Sequence, residues 1–302
     1  SIDLEIDSKD PEEIINSIFE YQGQEFLFYE IANELANAKL KNIEYKTQIG
    51  PQCKGCTFND EDKEKSGMYQ CWSKIDGFTD AKYHDEKIID VWNLRSTKKL
   101  IEQEKFFIES IDLEDLKIDR PPYLSDKAFS NKDRQYFQCF GIETFQNDEG
   151  YIFNTNYLSK EIRKWKYPLN FIDFETATPA IPPYKGLSAY EMITFQYSIH
   201  TLKESGEVEH SSQFLSVSAN EFPNLSFIKQ LTSDLSKNVG SIFMWYPHES
   251  TSLKAIQKQI LKLNLAKEYE VELAFIDTLL AGGDRELIDL FALSKNGIFY
   301  PN

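Results

Sequence analysis

The sequence lacks any long hydrophobic run and is poor in basic residues and cysteine. Because no apolar stretch reaches the roughly 18 residues needed to cross a bilayer, we expect no transmembrane helix. The first residues show no basic region followed by an apolar stretch, so we expect no secretory signal and a cytoplasmic, reducing environment. The 33 basic residues against 49 acidic ones give a formal net charge of −16, which opposes long-range attraction of nucleic acids.

The chain is nevertheless long and apolar enough for ordinary packed cores. Of its 302 residues, 41% are hydrophobic and 14% aromatic, which is typical of globular proteins. At roughly 150 residues per domain we expect two domains. The pattern of the sequence changes after Tyr167-Pro168. We therefore predict a mainly helical, cysteine-containing region at 1–160 and an α/β domain at 161–302.

Apolar residues recur mostly with helical spacing in the first region. Asp10, Pro11 and Glu13 form a helix-start signal, in which an N-cap precedes proline and an acid. The elements predicted here are one bent helix or two helices over 11–40, a loop over 49–80, a helix over 86–110, a polar connector over 111–135, strands at Tyr136–Ile142 and Tyr151–Phe153, and a helix at Ser159–Trp165.

The second region alternates between strand and helix patterns. The predicted elements are strands at Leu169–Glu175, Met192–His200 and Val208–Leu215, a helix over 225–238, a strand at Ser241–Tyr246, a helix at Thr251–Leu263, a strand at Leu273–Asp277 and a helix at Glu286–Leu293. The short turn between the second and third strands predicts antiparallel pairing. The later alternation of helix and strand predicts a mixed sheet with flanking helices.

Two acids interrupt the apolar strand Phe171-Ile172-Asp173-Phe174-Glu175. Because strand side chains alternate between faces, Asp173 and Glu175 share one face while Ile172 and Phe174 point into an apolar layer. A divalent cation relieves the repulsion between two such carboxylates, and hard oxygen ligands favour Mg²⁺ or Mn²⁺. The alternative is a solvated strand surface that happens to carry two acids.

Three further acids are candidates for the same site. Glu249 follows an apolar strand and precedes a helix, where a sheet-based fold offers a further ligand. Its alternative role is to stabilise the helix N-terminus. Asp277, at the end of a predicted strand, is a ligand or a turn cap. Asp289 is a candidate metal ligand or a solvated helical acid.

The segment from Tyr167 to Thr176 carries a family resemblance. It is accompanied by Ala180-Ile181-Pro182, Tyr190-Glu191 and Phe195-Gln196-Tyr197-Ser198-Ile199-His200, and more weakly by Trp245-Tyr246, Glu249 with Leu253, Ile288-Asp289-Leu290, Gly297 and Tyr300-Pro301. Together these resemble a bacterial family of unknown function. The C-terminal domain of that family is similar to the DnaQ-like, or DEDD, exonucleases of the ribonuclease H-like fold, whose order of strands and helices matches the one predicted above.

The resemblance implies a magnesium-dependent 3′–5′ exonuclease in the full-length protein, which hydrolyses phosphodiester bonds at single-stranded ends of DNA or RNA. Two Mg²⁺ or Mn²⁺ ions would serve this reaction. Asp173 and Glu175 correspond to the first exonuclease motif and Glu249 to the acid of the second. Asp289 is a further candidate ligand, and His200 lies where family members often carry a His pair.

Two features depart from the exonuclease pattern. Tyr246-Pro247-His248 replaces a stretch that usually contains asparagine. A fourth acid, paired with a His or Tyr base, is expected in a late helix, and we expect a domain truncated at its C-terminus before that helix. The sequence therefore also allows a catalytically inactive nucleic-acid-binding or scaffolding module.

Three of the four cysteines lie within nineteen residues, as Cys53-x2-Cys56-x14-Cys71. The Cys-x2-Cys opening is typical of metal sites. Its surroundings resemble the cysteine-rich tail of RecB-type nucleases, which implies a 4Fe–4S cluster in the full-length protein, with the fourth ligand upstream. The spacing alone also allows Zn²⁺. Cys139 lies in a predicted apolar strand and is expected to be a small buried hydrophobe.

Overall fold

The computed structural model of the protein describes residues 18–21, 24–43, 48–141, 150–218 and 221–300. Its contacts divide it into two compact units, Ser1–Ile89 and Asp90–Asn302. The boundary placed at residue 160 from the sequence lies inside the second unit. Among the described helices, none is both long and apolar enough to span a bilayer.

The first unit combines a hairpin with short helices. Strands β1 (Ile18–Tyr21) and β2 (Gln24–Leu27) pair antiparallel, and α1 (Phe28–Leu40) follows directly. The remainder contains α2 (Gly67–Trp72) and short 3₁₀ segments at Pro51–Gly55, Asp80–His84 and Ile88–Asp90. The helix predicted over 11–40 is therefore wrong for 18–21 and 24–27, while residues 11–17, 22 and 23 lie outside the described part of the chain. The expected mainly helical region thus also contains a hairpin.

The first part of the second unit consists of short helices and one strand of a small two-stranded sheet. These elements are α3 (Thr97–Glu102), a 3₁₀ segment at Ile108–Ser110, α4 (Leu113–Leu116), α5 (Asn131–Phe140), β3 (Ile152–Phe153) and α6 (Thr155–Ile162). β3 pairs antiparallel with β9 (Ile298–Phe299) near the other end of the unit. Phe129, Phe137 and Ile152 form a small apolar cluster with Phe299. This packing explains why residues 90–160 belong to the second unit.

The strand predicted at Tyr136–Ile142 is wrong as far as residue 140, because these residues end α5, and Ile142 lies outside the described residues. Asp133 accepts the Ser130 N–H at 2.8 Å, and Ser130 Oγ accepts the Asp133 N–H at 3.2 Å. This reciprocal capping starts a helix locally, which the alternating pattern of residues 137–140 concealed. Cys139 is accordingly a half-buried helix residue. The long helix predicted over 86–110 is likewise divided into short segments.

A mixed five-stranded sheet in the order β6-β5-β4-β7-β8 forms the centre of the second unit. Its strands are β4 (Leu169–Ala177), β5 (Ile193–Leu202), β6 (Val208–Leu215), β7 (Ile242–Met244) and β8 (Ile288–Asp289). β5 is antiparallel to β4 and to β6, whereas β7 is parallel to β4 and to β8. The chain therefore fills the centre first, adds two strands on one side, and then adds two on the other. The mixed α/β sheet with flanking helices is confirmed.

Helices pack on one face of this sheet. They are α7 (Pro223–Leu235), α8 (His248–Lys262) and α9 (Glu270–Leu279), and a further helix, α10 (Leu290–Gly297), follows β8. The apolar residues of α7, α8 and α9 form one core with Ile172, Phe174 and Tyr197 of the sheet. The strand predicted at Leu273–Asp277 is wrong, because that segment lies within α9. Ile276 and Leu279, three residues apart, bury one helical face in the core.

Candidate active site

The carboxyl ends of β4, β7 and β8 meet at one edge of the sheet. The three strands run parallel, with Phe171 opposite Phe243 and Met244 opposite Asp289. The chain leaves β4 toward one side of the sheet and leaves β7 toward the other. In open α/β sheets, ligands bind at such a reversal because the diverging connections leave a crevice outside the strand ends. This edge of the sheet is therefore a candidate ligand-binding site.

β4 carries two acids on its exposed face near this edge. Ile172 and Phe174 are buried in the core, whereas Asp173 and Glu175 are exposed, so the alternation predicted from the strand period is confirmed. The pairing of β4 with β5 shifts register between Glu175 and Thr176. Irregularities of this kind change the direction of side chains and are common beside binding sites.

Helix α8 brings a third acid, Glu249, to the same edge. Glu249 lies in the first turn of α8, is 3% exposed, and its Oε2 has no hydrogen-bond partner among the described residues. Burial, together with the negative charges of Asp173 and Asp289, raises the pKa of Glu249 to about 7. The backbone amides of Glu249 and Phe174 act in the opposite direction. Glu249, Asp173 and Asp289 thus form one electrostatic group, which we call the acidic cluster.

Asp289 occupies a more constrained position than the sequence indicated. It ends β8 and is the N-cap of α10, and it is half-buried. Its Oδ1 accepts the N–H of Ala292 at 3.0 Å and the N–H of Tyr246 at 3.2 Å. The interpretation of Asp289 as a solvated acid within a helix is therefore wrong. One carboxylate holds both the start of α10 and the loop after β7.

Asp277 does not join the acidic cluster. It is an exposed residue of α9, and its Oδ1 accepts a hydrogen bond from Gln257 Nε2 at 2.8 Å. Its predicted place at the end of a strand is wrong, because residues 273–277 lie within α9.

Sequence reasoning missed two histidine contacts in the second unit, although it had singled out His200. His248 precedes Glu249 in the chain, and its Nε2 lies 3.3 Å from Thr176 Oγ1. His200 Nε2 lies 3.2 Å from Nδ1 of His210 on the neighbouring strand β6. The sequence held no signal for the second pair, since it depends on the register between β5 and β6.

The donor set of the acidic cluster suits a hard divalent cation, because carboxylate oxygens are the ligands that Mg²⁺ prefers. The buried Oε2 of Glu249 is an unsatisfied acceptor of the kind that an ion would satisfy. Within the described ranges, however, no three His, Cys, Asp or Glu side chains lie close enough together to hold one metal ion. Asp173, Glu249 and Asp289 thus interact electrostatically, and Glu175 shares the exposed face of β4 with Asp173. These four acids do not form a closed set of ligands.

Cys53, Cys56 and Cys71 line one cavity of about 450 Å³ in the first unit. Cys53 Sγ accepts the N–H of Gly50 at 3.5 Å, and the N–H of Cys56 donates to the carbonyl of Cys53 at 3.1 Å. Hydrogen bonds to sulfur tune thiolates in metal centres. The absence of a closed ligand group among the described residues applies here too. The fourth cysteine, Cys139, belongs to the second unit.

A second polar cavity, of about 510 Å³, includes the buried acid Asp234 in its lining. Asp234 accepts hydrogen bonds from Tyr197 (2.6 Å), Lys237 (2.7 Å) and Ser212. Burial alone raises the pKa of a carboxyl, but these donors outweigh it and lower the pKa of Asp234 to about 2. These hydrogen bonds connect α7 to the sheet. Because they satisfy both carboxylate oxygens, Asp234 is not a candidate metal ligand.

Residues 170–302 match the model of a family described as a domain of unknown function (DUF2779). The match covers less than half of the chain, and Asp173, Glu175, Glu249 and Asp289 all lie within it. No curated protein and no solved structure matches the chain significantly. The C-terminal part of the chain is thus similar to a family whose description states no activity.

Proposed function

We propose that the second unit is a metal-dependent nuclease domain of the ribonuclease H-like type, which removes nucleotides from DNA or RNA ends in the 3′–5′ direction. The observation that carries this proposal is the buried Glu249 carboxylate, which has an unsatisfied oxygen and two acidic neighbours. Burying charge beside like charge is costly. A cation bound beside Glu249 would offset this cost in free energy.

The strand succession supports the ribonuclease H-like part of the proposal. Three strands pair antiparallel, and two parallel strands follow on the other side of β4. The resemblance led us to expect three consecutive strands followed by alternating helices and strands, although the fifth strand is Ile288–Asp289 and not the predicted Leu273–Asp277. Asp173 lies on the central strand and Glu249 directly after the next parallel one, so both acids reach the reversal between β4 and β7.

In this proposal Asp173, Glu175 and Glu249 hold Mg²⁺ or Mn²⁺, with Asp289 as the further acid. When bound, two such ions supply an activated water and stabilise the leaving oxygen of a phosphodiester. Because the pKa of Glu249 is raised to about 7, an ion that bound there near neutral pH would displace its proton. Because no three ligands are gathered within the described residues, binding must draw the carboxylates together.

Nuclease activity tests the proposal directly. End-labelled single strands are incubated with Mg²⁺ and with wild type, Asp173→Asn or Asp277→Asn. We expect Asp173→Asn to lose at least ~100-fold in rate, about 2.7 kcal/mol of transition-state stabilisation. Asp277→Asn is the matched control, because Asp277 is an exposed acid outside the acidic cluster, and should cleave as wild type does. Equal degradation by all three proteins removes Asp173 from the mechanism.

The second candidate is an inactive nucleic-acid-binding or scaffolding module. The absence of a closed ligand group within the described residues favours an inactive site. The net charge of −16 favours a scaffolding role over nucleic-acid binding, because it opposes the attraction of phosphates. Wild-type protein that neither binds Mn²⁺ in a calorimetric titration nor cleaves labelled strands would favour this second candidate over the nuclease.

We also propose that Cys53, Cys56 and Cys71 contribute to a 4Fe–4S or Zn²⁺ site that a fourth ligand completes. The shared cavity and the N–H···S bond to Cys53 support this. Elemental analysis of anaerobically purified protein should find iron or zinc, less of it in Cys71→Ser, and an unchanged amount in the control Cys139→Ser. Metal-free, stable wild-type protein would contradict the proposal.

A further inference from the structure

Three exposed aromatic side chains stand together beside the acidic cluster. Trp245 is 62% exposed, Tyr246 58% and Phe291 37%. The ring of Phe291 meets Trp245 at 5.9 Å and Tyr246 at 5.2 Å between centroids, both edge to face. We call these three residues the aromatic cluster. Contiguous exposed apolar groups mark interaction sites more often than scattered ones do.

Asp289 connects the aromatic cluster to the acidic cluster. Its Oδ1 accepts the N–H of Tyr246 and also caps α10, in which Phe291 is the second residue. The carboxylate that contributes negative charge beside Glu249 therefore also positions two of the three rings. A ligand held by the rings lies next to the acids.

The backbone of Tyr246 is strained. Its φ of +71° lies in the left-handed region, which a bulky residue rarely adopts. The exposed ring gains little from burial in return, and the hydrogen bond to Asp289 helps to hold the conformation. Strain of this kind clusters at binding sites, where a side chain must be held in one direction.

The charge of the molecule limits what these rings can bind. Acids surround the site and the net charge is −16, so phosphate groups gain little from long-range attraction. Nucleobases, in contrast, are neutral and stack on aromatic side chains whatever their sequence. Unpaired bases offer free faces, whereas in a duplex both faces of every internal base are covered and only the outer face of each terminal pair is free.

We propose that the aromatic cluster binds unpaired terminal bases of a nucleic-acid strand by stacking, so that the adjoining phosphodiester reaches Asp173 and Glu249. The choice of a nucleic acid as the ligand rests on the proposed function, but the stacking contact is tested separately from cleavage. The ligand class is a single-stranded end, with little preference for sequence.

Binding is measured in EDTA, where the proposed cleavage cannot occur. The probe is fluorescein-labelled single-stranded dT12, followed by fluorescence anisotropy at low salt, with a blunt duplex and a dT12 carrying an abasic end for comparison. The variants are Trp245→Ala, Trp245→Phe and Phe291→Leu. Tyr123→Leu is the matched control, because Tyr123 is an exposed aromatic residue (66%) of the same unit. Thermal unfolding midpoints establish that each variant is folded.

We expect Trp245→Ala and Phe291→Leu each to weaken dT12 binding ~5- to 100-fold, the range for loss of one stacked base. Trp245→Phe should bind within ~3-fold of wild type, the control should be unchanged, and the duplex and abasic probes should bind weakly. Variants that bind as tightly as wild type overturn the stacking site, as does wild type that shows no binding up to ~100 µM. If stacking holds while Asp173→Asn cleaves as wild type does, the proposed function fails and this inference stands.

Discussion

Glu249 is buried and has a pKa close to neutrality, so its charge changes within the physiological pH range. The folded protein keeps Glu249 protonated up to about pH 7, whereas the unfolded chain releases that proton near its ordinary pKa of 4.5. Between these values the folded state binds more protons. The contribution of Glu249 to stability is therefore greatest below about pH 4.5 and is lost as pH rises from there through about 7.

Glu249→Gln should remove this pH dependence. In EDTA, we expect the unfolding free energy of the variant relative to wild type to rise by about 2 to 3 kcal/mol between pH 5 and pH 8. Urea denaturation at several pH values measures it. Two pH profiles that run parallel would show that Glu249 ionises normally in the folded protein.

Single residues were predictable where one local rule decides them. The period of a strand was enough to place Asp173 and Glu175 on one exposed face. The environment of Glu249 was not predictable, because its burial depends on the packing of α8 against β4. Asp289 was misplaced because its role as an N-cap requires knowing where β8 ends.

Helix α10 and the loop after β7 are held by the same carboxylate, so Asp289 has a structural role that can be separated from its charge. Asparagine caps a helix about as well as aspartate, whereas alanine does not. We expect Asp289→Ala to lose about 1 kcal/mol of unfolding free energy and Asp289→Asn to lose less than about 0.5 kcal/mol at pH 5.

Both Asp289 variants remove the same negative charge beside Glu249, so both should lower the pKa of Glu249. Urea denaturation across pH separates the two effects, because the cap loss is constant while the charge effect grows as pH rises. If Asp289→Asn is as unstable as Asp289→Ala at pH 5, the hydrogen bonds that Asp289 accepts from Tyr246 and Ala292 do not account for the stability lost.

Among the elements, the three antiparallel strands at Leu169–Ala177, Ile193–Leu202 and Val208–Leu215 agree well with the sequence patterns. They were predictable because long alternating runs are bounded by clear turns. The segments at 136–140 and 273–277 were wrong, because short apolar runs fit strand and helix equally well. Capping at Ser130 and helical burial in α9 decided these two cases.

At the scale of the whole molecule, the net charge of −16 shapes any encounter with nucleic acid. Binding that rests on phosphate contacts releases counterions and weakens steeply with salt. Binding that rests on stacking against the aromatic cluster depends much less on salt. The sequence predicted the charge, but the adjacency of Trp245 and Phe291 comes from the sheet register and the start of α10.

We therefore expect the dissociation constant for dT12 to rise less than ~10-fold between 50 and 200 mM salt, as for two or fewer phosphate contacts. Anisotropy titrations at four salt concentrations give the slope. If the affinity for dT12 instead falls ~1,000-fold or more over this range, the strand makes many phosphate contacts. Such contacts would require a basic surface that the proposed site does not include.

The central claim is that Asp173 and Glu249 belong to one divalent-cation site, and calorimetric titration with Mn²⁺ at pH 7.5 tests it most directly. Wild type and the control Asp277→Asn should bind Mn²⁺ saturably. Asp173→Asn and Glu249→Gln should each bind at least ~10-fold more weakly, since each loses a carboxylate ligand. Identical isotherms for all four proteins, or no saturable binding to wild type, would contradict the claim.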